Sequence, residues 1–392
     1  MRANPTLSED LISEILIRVP VKSLICFQLV SKSWLSLIKD PAFLKSQLLH
    51  AVKPLTQTQT LILSCYMDRK PTKFLLLANS RQTGDDLLSP YSRDEFKSVP
   101  SASLVGSANG IVCVVVVDIS KNKPRFYLWN PATRRSKVIP WHGVCDYRGV
   151  EDYGLGFGYD QIDQDFKVVR VIKFELPPFL CAEVYSENHK AWRKMPDPID
   201  TPTSNRFDVC FNGFLVGIGE QGMMAFDLNK EVLNCAIKLP VVYDDDCDDA
   251  HIIEFNNSCA VITIFYDFNY SIVDERIGLW TLNDDACLRC GGGVEASWTP
   301  IFSIHTDLPP CLDKITPGST TAGYISNGDR VLLIMNNKCW ISYNVDKNEA
   351  EIVPLSGDMA DRYASHVYKY TESLISLAGF NQVNWNVSKD DN

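Results

Sequence analysis

The sequence lacks a hydrophobic run long enough to cross a membrane. Its longest apolar stretch is only Ile111–Val117, whereas a transmembrane helix needs roughly 20 such residues. The first ten residues, MRANPTLSED, also lack the continuous apolar core of a secretory signal. We therefore expect a cytoplasmic or nuclear protein without a membrane partner.

Positive charge is scarce: 38 Lys and Arg stand against 48 Asp and Glu, a formal net charge of −10. Binding to a phosphate backbone needs clustered positive charge, so nucleic acid is not an expected partner. The charge is also uneven. Residues 1–50 carry six basic and four acidic side chains, leaving 32 and 44 for the rest, a net of −12. This change of sign indicates a domain boundary near residue 50.

Recognisable sites for metals, cofactors or catalysis are missing. The pair Cys287 and Cys290 has no second pair or histidine cluster beside it, so we assign it a structural or loop role. The glycines of Gly154–Asp160 resemble a dinucleotide loop, but a strand pattern follows them instead of a helix. The acidic run Tyr243–Asp249 lacks the spacing of a calcium loop and is typical of a solvated connection. We therefore predict no catalytic residue, no metal, no cofactor and no enzymatic activity.

The first fifty residues have helical periodicity. Six apolar side chains from Leu7 to Val19 recur along one side of a first helix. Thr6 and Glu9 fit a capping box at its start, with Ser8 as a competing N-cap. A second helix is predicted to begin at Pro20, a third to cover 32–38, and a fourth to follow the N-cap Asp40.

This helical segment has more apolar side chains than it can bury by itself. Of residues 5–50, 23 are apolar, and a domain of about fifty residues buries only about 60% of its unfolded surface. Part of its apolar surface must therefore be covered by the rest of the chain or by another protein. The pattern alone leaves these two alternatives open.

The segment Leu7–Ile38, LSEDLISEILIRVPVKSLICFQLVSKSWLSLI, resembles the F-box. The resemblance implies a Skp-family adaptor as partner and, through it, cullin and RING subunits. It also implies that Trp34 holds the third helix in place. Ser8 departs from the family's usual proline and is expected to weaken the first turn, and Cys26 replaces a usual arginine. The implied adaptor-facing or supporting positions are Leu7, Leu11, Ile15, Leu16, Pro20, Leu24, Phe27 and Val30.

From about residue 58 short apolar runs alternate with turn residues, which predicts an all-β body. One pattern recurs in it: an aromatic or Leu-rich strand, an Asn or Asp turn, and a second strand that often ends at proline. Its central residues are separated by 54, 56, 41, 54 and 63 positions. A period near fifty predicts a kelch-like β-propeller of about six blades, with tryptophans mostly in the core. The central residues are Leu75, Trp129, Tyr185, Phe226, Trp280 and Tyr343.

The same region resembles the F-box-associated domain of a large plant family, through NGIVCV (Asn109–Val114), LWNPATRR (Leu128–Arg135), Gly156–Val171 and Val184–Met195. The order of the two parts is also similar to the S-locus F-box proteins of pollen. We therefore predict an α+β multidomain chain. It consists of a three- to four-helix F-box at 1–50, an F-box-associated propeller at 51–385 and a tail at 386–392.

The resemblance implies a non-catalytic, substrate-recognition subunit of an SCF-type E3 ubiquitin ligase, which recruits a target for ubiquitination and proteasomal degradation. The alternative is a small-ligand or glycan-binding propeller without a ligase role. The sequence does not separate pollen self-incompatibility from defence or general turnover. The acidic body favours a basic target. Four residues in long connections are predicted to contact it: Trp141, Tyr147, Asp245 and Asp248.

Overall fold

The computed structural model describes most of the chain. The four predicted target-contacting residues, Trp141, Tyr147, Asp245 and Asp248, lie outside the described residues, as does the tail 386–392. The described residues are 7–52, 60–67, 70–78, 81–82, 87, 89–91, 100–118, 123–139, 150–175, 178–195, 206–219, 222–240, 249–269, 272–290, 295–305, 321–325, 330–335, 339–344, 347, 349–352 and 363–382.

Four helices form the N-terminal part, here called the head: α1 (Glu9–Leu16), α2 (Val21–Phe27), α3 (Lys32–Lys39) and α4 (Pro41–Val52). Side chains cap three of them, at Ser8 and Asp40, which the sequence offers as N-caps, and at Ser31. Ser8 Oγ accepts the N–H of Leu11 at 3.4 Å, Ser31 Oγ accepts that of Trp34 at 3.2 Å, and Asp40 Oδ1 that of Ala42 at 2.8 Å. Ser8 therefore supplies a cap, contrary to the expectation that it weakens the first turn.

The strands that follow form antiparallel, four-stranded blades. Hydrogen bonds group them, among the described residues, into five sheets. The largest sheet has eight strands and holds two four-stranded units, joined by a short parallel pairing of Leu155 with Arg206. Counting these units separately gives six blades, so the predicted propeller of about six blades is confirmed.

The blades are numbered along the chain and their strands run from the inside outwards. Blade 1 is β24 (Tyr363–Tyr370), β1 (Thr60–Met67), β2 (Lys70–Ala78) and β3 (Arg81–Gln82). Blade 2 is β4 (Ser101–Ala108), β5 (Ile111–Asp118), β6 (Lys123–Asn130) and β7 (Arg135–Ile139), with β25 (Asn381–Gln382) on its outer edge. Blade 3 is β8 (Val150–Asp160), β9 (Asp165–Glu175), β10 (Pro178–Ser186) and β11 (Ala191–Lys194).

Blade 4 is β12 (Arg206–Phe211), β13 (Phe214–Gly219), β14 (Gly222–Asp227) and β15 (Val232–Ile237). Blade 5 is β16 (Asp249–Phe255), β17 (Ser258–Asn269), β18 (Ile272–Leu282) and β19 (Trp298–His305), with the short α5 (Ala286–Cys290) between its last two strands. Blade 6 is β20 (Thr321–Ile325), β21 (Arg330–Met335), β22 (Cys339–Asn344) and β23 (Glu349–Ile352).

The innermost strands lie side by side in a closed cycle, β24, β4, β8, β12, β16, β20 and back to β24. The two ends of the β region meet in blade 1, where the late strand β24 pairs antiparallel with the first strand β1, from Thr60↔Tyr370 to Tyr66↔Tyr363. This pairing closes the ring, so the first and last blades are not left with an open gap between them.

The motif that recurs in the sequence forms the two outer strands of each blade. Its six central residues all lie on a third strand: β2, β6, β10, β14, β18 or β22. At three of the turns that follow, the side-chain Oδ1 of Asn or Asp accepts the N–H three residues on. Asn130 accepts from Thr133 at 3.2 Å, Asp227 from Lys230 at 2.9 Å, and Asn344 from Lys347 at 2.9 Å. These Asx turns explain the recurrence of Asn and Asp in the motif.

Aromatic side chains pack between neighbouring blades. Trp129 of blade 2 meets Phe74 of blade 1 at 5.4 Å between ring centroids, and Phe126 of blade 2 meets Trp192 of blade 3 at 5.7 Å. Trp129 and Trp192 are buried, as predicted. Trp280 and Trp298 are only half-buried, and the side chain of Trp340 lies outside the described residues. The core assignment is thus correct for two of the four tryptophans whose side chains the structure describes.

The glycines of Gly154–Asp160 allow close packing of the inner strands. A Cβ on Gly156 would lie 2.8 Å from the ring of Phe207, and one on Gly158 would lie 2.7 Å from Leu228 Cδ1. The segment is the inner strand β8, consistent with rejecting a dinucleotide loop. Gly106 lies on the neighbouring inner strand β4 and faces backbone instead of side chains. A Cβ at this position would lie 2.8 Å from the carbonyl oxygen of Phe157.

A buried ion pair joins blades 3 and 4. Lys167 Nζ lies 2.9 Å from Asp160 Oδ2 and 3.0 Å from Glu231 Oε1, and it donates to the Leu228 carbonyl at 2.6 Å. Burial alone would lower the pKa of Lys167, but the two carboxylates outweigh burial and raise it above its ordinary value. Burial likewise opposes ionisation of Asp160, yet hydrogen bonds from Lys167 and Asn229 lower its pKa. The stabilisation from Asp160 is present at neutral pH and lost in acid.

The packing of the inner strands generates a first prediction. Gly106→Ala should lower the free energy of unfolding by about 1–3 kcal/mol, because the new methyl group meets backbone that cannot rotate away. Gly158→Ala should cost less, because its methyl group meets the ends of the side chains of Leu228 and Cys210. Urea unfolding of both variants measures which loses more free energy of unfolding. A smaller loss for Gly106→Ala would contradict this account.

Candidate partner-binding surface

The head has one buried apolar side, and a residue far along the chain, Leu374, contributes to its burial. Leu16, Val21, Leu24, Ile38 and Phe43 form its core together with Leu374, which follows the ring-closing strand β24. Ala132, in the β6–β7 turn of blade 2, packs against the same cluster. One apolar side of the head is therefore covered by the propeller and by the segment after it.

A second apolar side of the head is exposed. Leu7, Leu11 and Ile15, spaced four residues apart, are 58%, 53% and 53% exposed. Leu11 and Ile15 lie on α1, and Leu7 directly precedes its N-cap Ser8. In the turn after α2, Leu29 is 89% exposed and Val30 is 62% exposed. Side chains four apart lie on the same side of a helix, so Leu11 and Ile15 share one side of α1. We call these five residues the apolar stripe.

The structure divides the eight predicted adaptor positions into two groups. Leu7, Leu11, Ile15, Pro20 and Val30 are exposed and accessible to a partner. Leu16 and Leu24 are buried, and Phe27 is half-buried with its ring against Trp34 at 5.4 Å, in an edge-to-face geometry. This second group supports the first, and Trp34 holds the third helix against the second.

Sequence reasoning missed two residues of this region. Leu29 is not among the eight implied adaptor positions, although a leucine next to Val30 in a turn is a signal for an apolar surface. Leu374 belongs to the head core although it lies far along the chain from the helices. No local pattern in the sequence links it to them.

A cluster of Ser186, Asp165 and His189 has the residue types of a hydrolase triad but not its geometry. The Ser186 hydroxyl donates to Asp165 Oδ2 at 2.5 Å, while its oxygen lies 2.8 Å from His189 Nδ1. In a triad the carboxylate orients the histidine, which in turn activates the serine. Ser186 is also buried, and its oxygen accepts the backbone N–H of His189. The cluster stabilises the β10–β11 turn.

The described part of the chain holds no group of three or more His, Cys, Asp or Glu side chains placed to bind a metal ion. Of the Cys287–Cys290 pair, Cys287 is buried beside Leu288 in the core of blades 4 and 5, and burial raises the pKa of its thiol. Among the helices in these residues, none is long and apolar enough to span a bilayer.

The two sides of the head generate a second prediction. Leu24→Ala should lower the free energy of unfolding of the head by about 2–5 kcal/mol, because it leaves a cavity in a core position with no exposure. Leu11→Ala should change it by no more than about 0.5 kcal/mol, as for most surface positions. Thermal unfolding of the two variants, monitored by the rate at which a protease cleaves the head, compares the two losses. Equal losses would contradict the division into a buried and an exposed side.

Comparison with known proteins agrees with this architecture. The family model for the F-box associated beta propeller domain matches residues 61–371, and that for the F-box domain matches residues 5–46. Relatives from Arabidopsis thaliana include an F-box/kelch-repeat protein, 30% identical over 53% of this chain and 57% of its own length. F-box protein CPR1 is 22% identical over 88% of this chain and 83% of its own length.

Among solved structures, an oligogalacturonate lyase from Vibrio parahaemolyticus is 10% identical, with a TM-score of 0.40 over 76% of this chain and 80% of its own. The Dos1 propeller is 11% identical, with a TM-score of 0.37 over 76% and 67%. Similarity this low carries no argument about activity. The family models, in contrast, cover most of the chain, and the chain belongs to the family of F-box proteins that carry an F-box-associated β-propeller domain.

Proposed function

We propose that this protein is the substrate-recognition subunit of an SCF-type E3 ubiquitin ligase, in which the head binds a Skp-family adaptor and the propeller binds the target. The observation that carries the proposal is the exposed apolar stripe on a head whose other side is covered. Apolar patches of this kind on a soluble protein mark binding surfaces. Membership in the F-box family supports the adaptor as the partner.

The stripe has the chemistry of a docking surface. Leu11 and Ile15 are long apolar side chains held by a capped helix, so burying them under an adaptor costs little ordering of the backbone. A few such anchors carry most of the energy of an interface, at about 2 kcal/mol or more each when truncated. Glu14 of α1 and Arg18 just after it form an exposed ion pair at 2.9 Å, which contributes little to stability because solvent screens it.

A receptor of this kind contributes proximity and needs no catalytic group of its own. Through the adaptor, the cullin and the RING subunit, the head brings a bound target to the ubiquitin carrier. Holding two reactants in one assembly raises their effective concentration, which accelerates transfer without a new chemical group. Proteasomal degradation of the target is the expected outcome.

Strand topology supports a target site on the face of the propeller away from the head. In a four-stranded antiparallel blade, the first and third turns lie at one end of the strands, and the second turn and the link to the next blade lie at the other. The head contacts a third turn through Ala132. The strand ends that flank the predicted target residues, Ile139 with Val150 and Ile237 with Asp249, lie at the opposite face.

The adaptor proposal generates a third prediction, with a matched control on the same head. Ile15 and Leu49 are exposed to 53% and 57%, and each lies in the last turn of its helix, where lysine is well tolerated. Ile15→Lys should weaken adaptor binding at least about 30-fold, the equivalent of a 2 kcal/mol anchor. Leu49→Lys, outside the stripe, should leave it within about twofold. Calorimetric titration with a purified Skp-family adaptor measures both.

Failure of the unaltered chain to bind any Skp-family adaptor would refute the receptor proposal and favour the alternative of a small-ligand or glycan-binding propeller. Leu24 is not a suitable probe of the adaptor surface because its side chain is buried. Expression confined to pollen, with linkage to the self-incompatibility locus, would assign the process to self-incompatibility and separate it from defence or general turnover.

The charge of the body generates a fourth prediction. Residues 51–392 have a net charge of −12, so long-range attraction should steer a basic target to the propeller. The association rate with a target captured under proteasome inhibition should fall by about tenfold or more between 50 and 500 mM salt, because ions screen this attraction. Stopped-flow mixing measures it. An association rate that does not depend on salt would contradict a basic target.

A further inference from the structure

The segment that follows the ring-closing strand lies between blade 2 and the head. We call residues Thr371–Gln382 the C-terminal strap. It begins directly after β24 and ends in β25, which pairs with β7 on the outer edge of blade 2. Ser373 and Leu374 are buried although no regular secondary structure holds them. A buried segment of this kind needs partners for its backbone polar groups.

Blade 2 supplies those partners. The Asn130 side-chain amide nitrogen, Nδ2, donates to the carbonyl oxygens of Ser373 at 3.0 Å and Ile375 at 2.8 Å. The Ser373 hydroxyl donates to the Asn109 carbonyl at 2.8 Å. The approach is close, because a Cβ on Gly110 would lie 2.2 Å from Ser373 Oγ. Gly110 also has φ +80°, which favours glycine.

The rest of the strap also contacts blade 2, through hydrogen bonds and apolar packing. Lys137 Nζ donates to the Ala378 carbonyl at 3.2 Å, and Asn381 pairs with Ser136 at the blade edge. Three apolar side chains of the strap pack against the core between blades 2 and 3: Ile375, Leu377 and Phe380.

Leu374 points the other way and enters the head. It belongs to the same buried cluster as Leu16, Val21, Leu24, Ile38 and Phe43. Four short helices bury little surface, so the head alone is expected to be only marginally stable. Leu374 thus joins the head core to a segment that follows the ring-closing strand β24 and is held by blade 2.

We propose that the C-terminal strap makes order in the head depend on closure of the propeller ring. β24 closes the ring, Asn130 and Asn109 then fix the backbone next to it, and Leu374 completes the head core. Asn130 and Leu374 are positioning residues for the head. The coupling itself is independent of the proposed ligase function; only its effect on adaptor affinity rests on that function.

The sharpest test is Asn130→Asp in the full chain. Aspartate has the same shape and keeps the Asx turn, since Oδ1 still accepts the N–H of Thr133, and Asp227 makes the equivalent turn in blade 4. It replaces the two N–H donors by a carboxylate facing two carbonyl oxygens. Asp227→Asn is the matched control, because it makes the reverse change in a turn that does not contact the strap.

Amide hydrogen exchange reports local opening of each element. Asn130→Asp should accelerate exchange in α2, α3 and the strap at least about tenfold, while β17 of the distant blade 5 keeps its protection. Leu374→Ala should accelerate exchange in the head likewise through the lost core contact. Asp227→Asn should leave the head unchanged. Unchanged protection of α2 and α3 in both Asn130→Asp and Leu374→Ala would overturn the proposal.

Adaptor titration separates this proposal from the proposed function. If both hold, Asn130→Asp weakens adaptor binding and accelerates exchange in the head, whereas Ile15→Lys weakens binding with exchange unaltered. Acceleration of exchange in a chain that binds no adaptor would sustain the coupling and refute the receptor role. Normal exchange in Asn130→Asp and Leu374→Ala, together with tight adaptor binding, would sustain the receptor role and refute the coupling.

Discussion

The pairing of β24 with β1 is the constraint on which the rest of the structure depends. It joins residues near the two ends of the β region and so converts a row of blades into a ring. Each blade then buries both faces against neighbours, which explains why apolar and aromatic side chains fill the spaces between blades. The same pairing places the strap, because Thr371 follows the last residue of β24.

The head illustrates how a short helical unit can have two apolar sides without being unstable. One side is covered within the chain, by Leu374 and Ala132, and the other carries Leu7, Leu11 and Ile15 in contact with solvent. The sequence left open whether the excess of apolar side chains is covered by the same chain or by a partner. The structure provides cover from the chain for one side, and for the other an exposed stripe suited to a partner.

Local patterns predicted much of this architecture. The caps at Ser8 and Asp40, the period near fifty and the Asn or Asp turns are visible in the sequence because neighbouring residues produce them. Two features could not be predicted from local patterns: the place of Leu374 in the head core, and the hydrogen bonds from Asn130 to the strap. Both depend on contacts between distant parts of the chain. The reason for Gly156 and Gly158 was likewise hidden, because it lies in the side chains of the next blade.

The head and the flanks of the long connections lie at opposite faces of the ring, and this has an evolutionary consequence. Lengthening a surface connection costs little conformational free energy, and connections tolerate insertion better than strands do. Duplicated genes for such a chain can therefore diverge in the specificity of one face while the geometry of the other end is inherited unchanged.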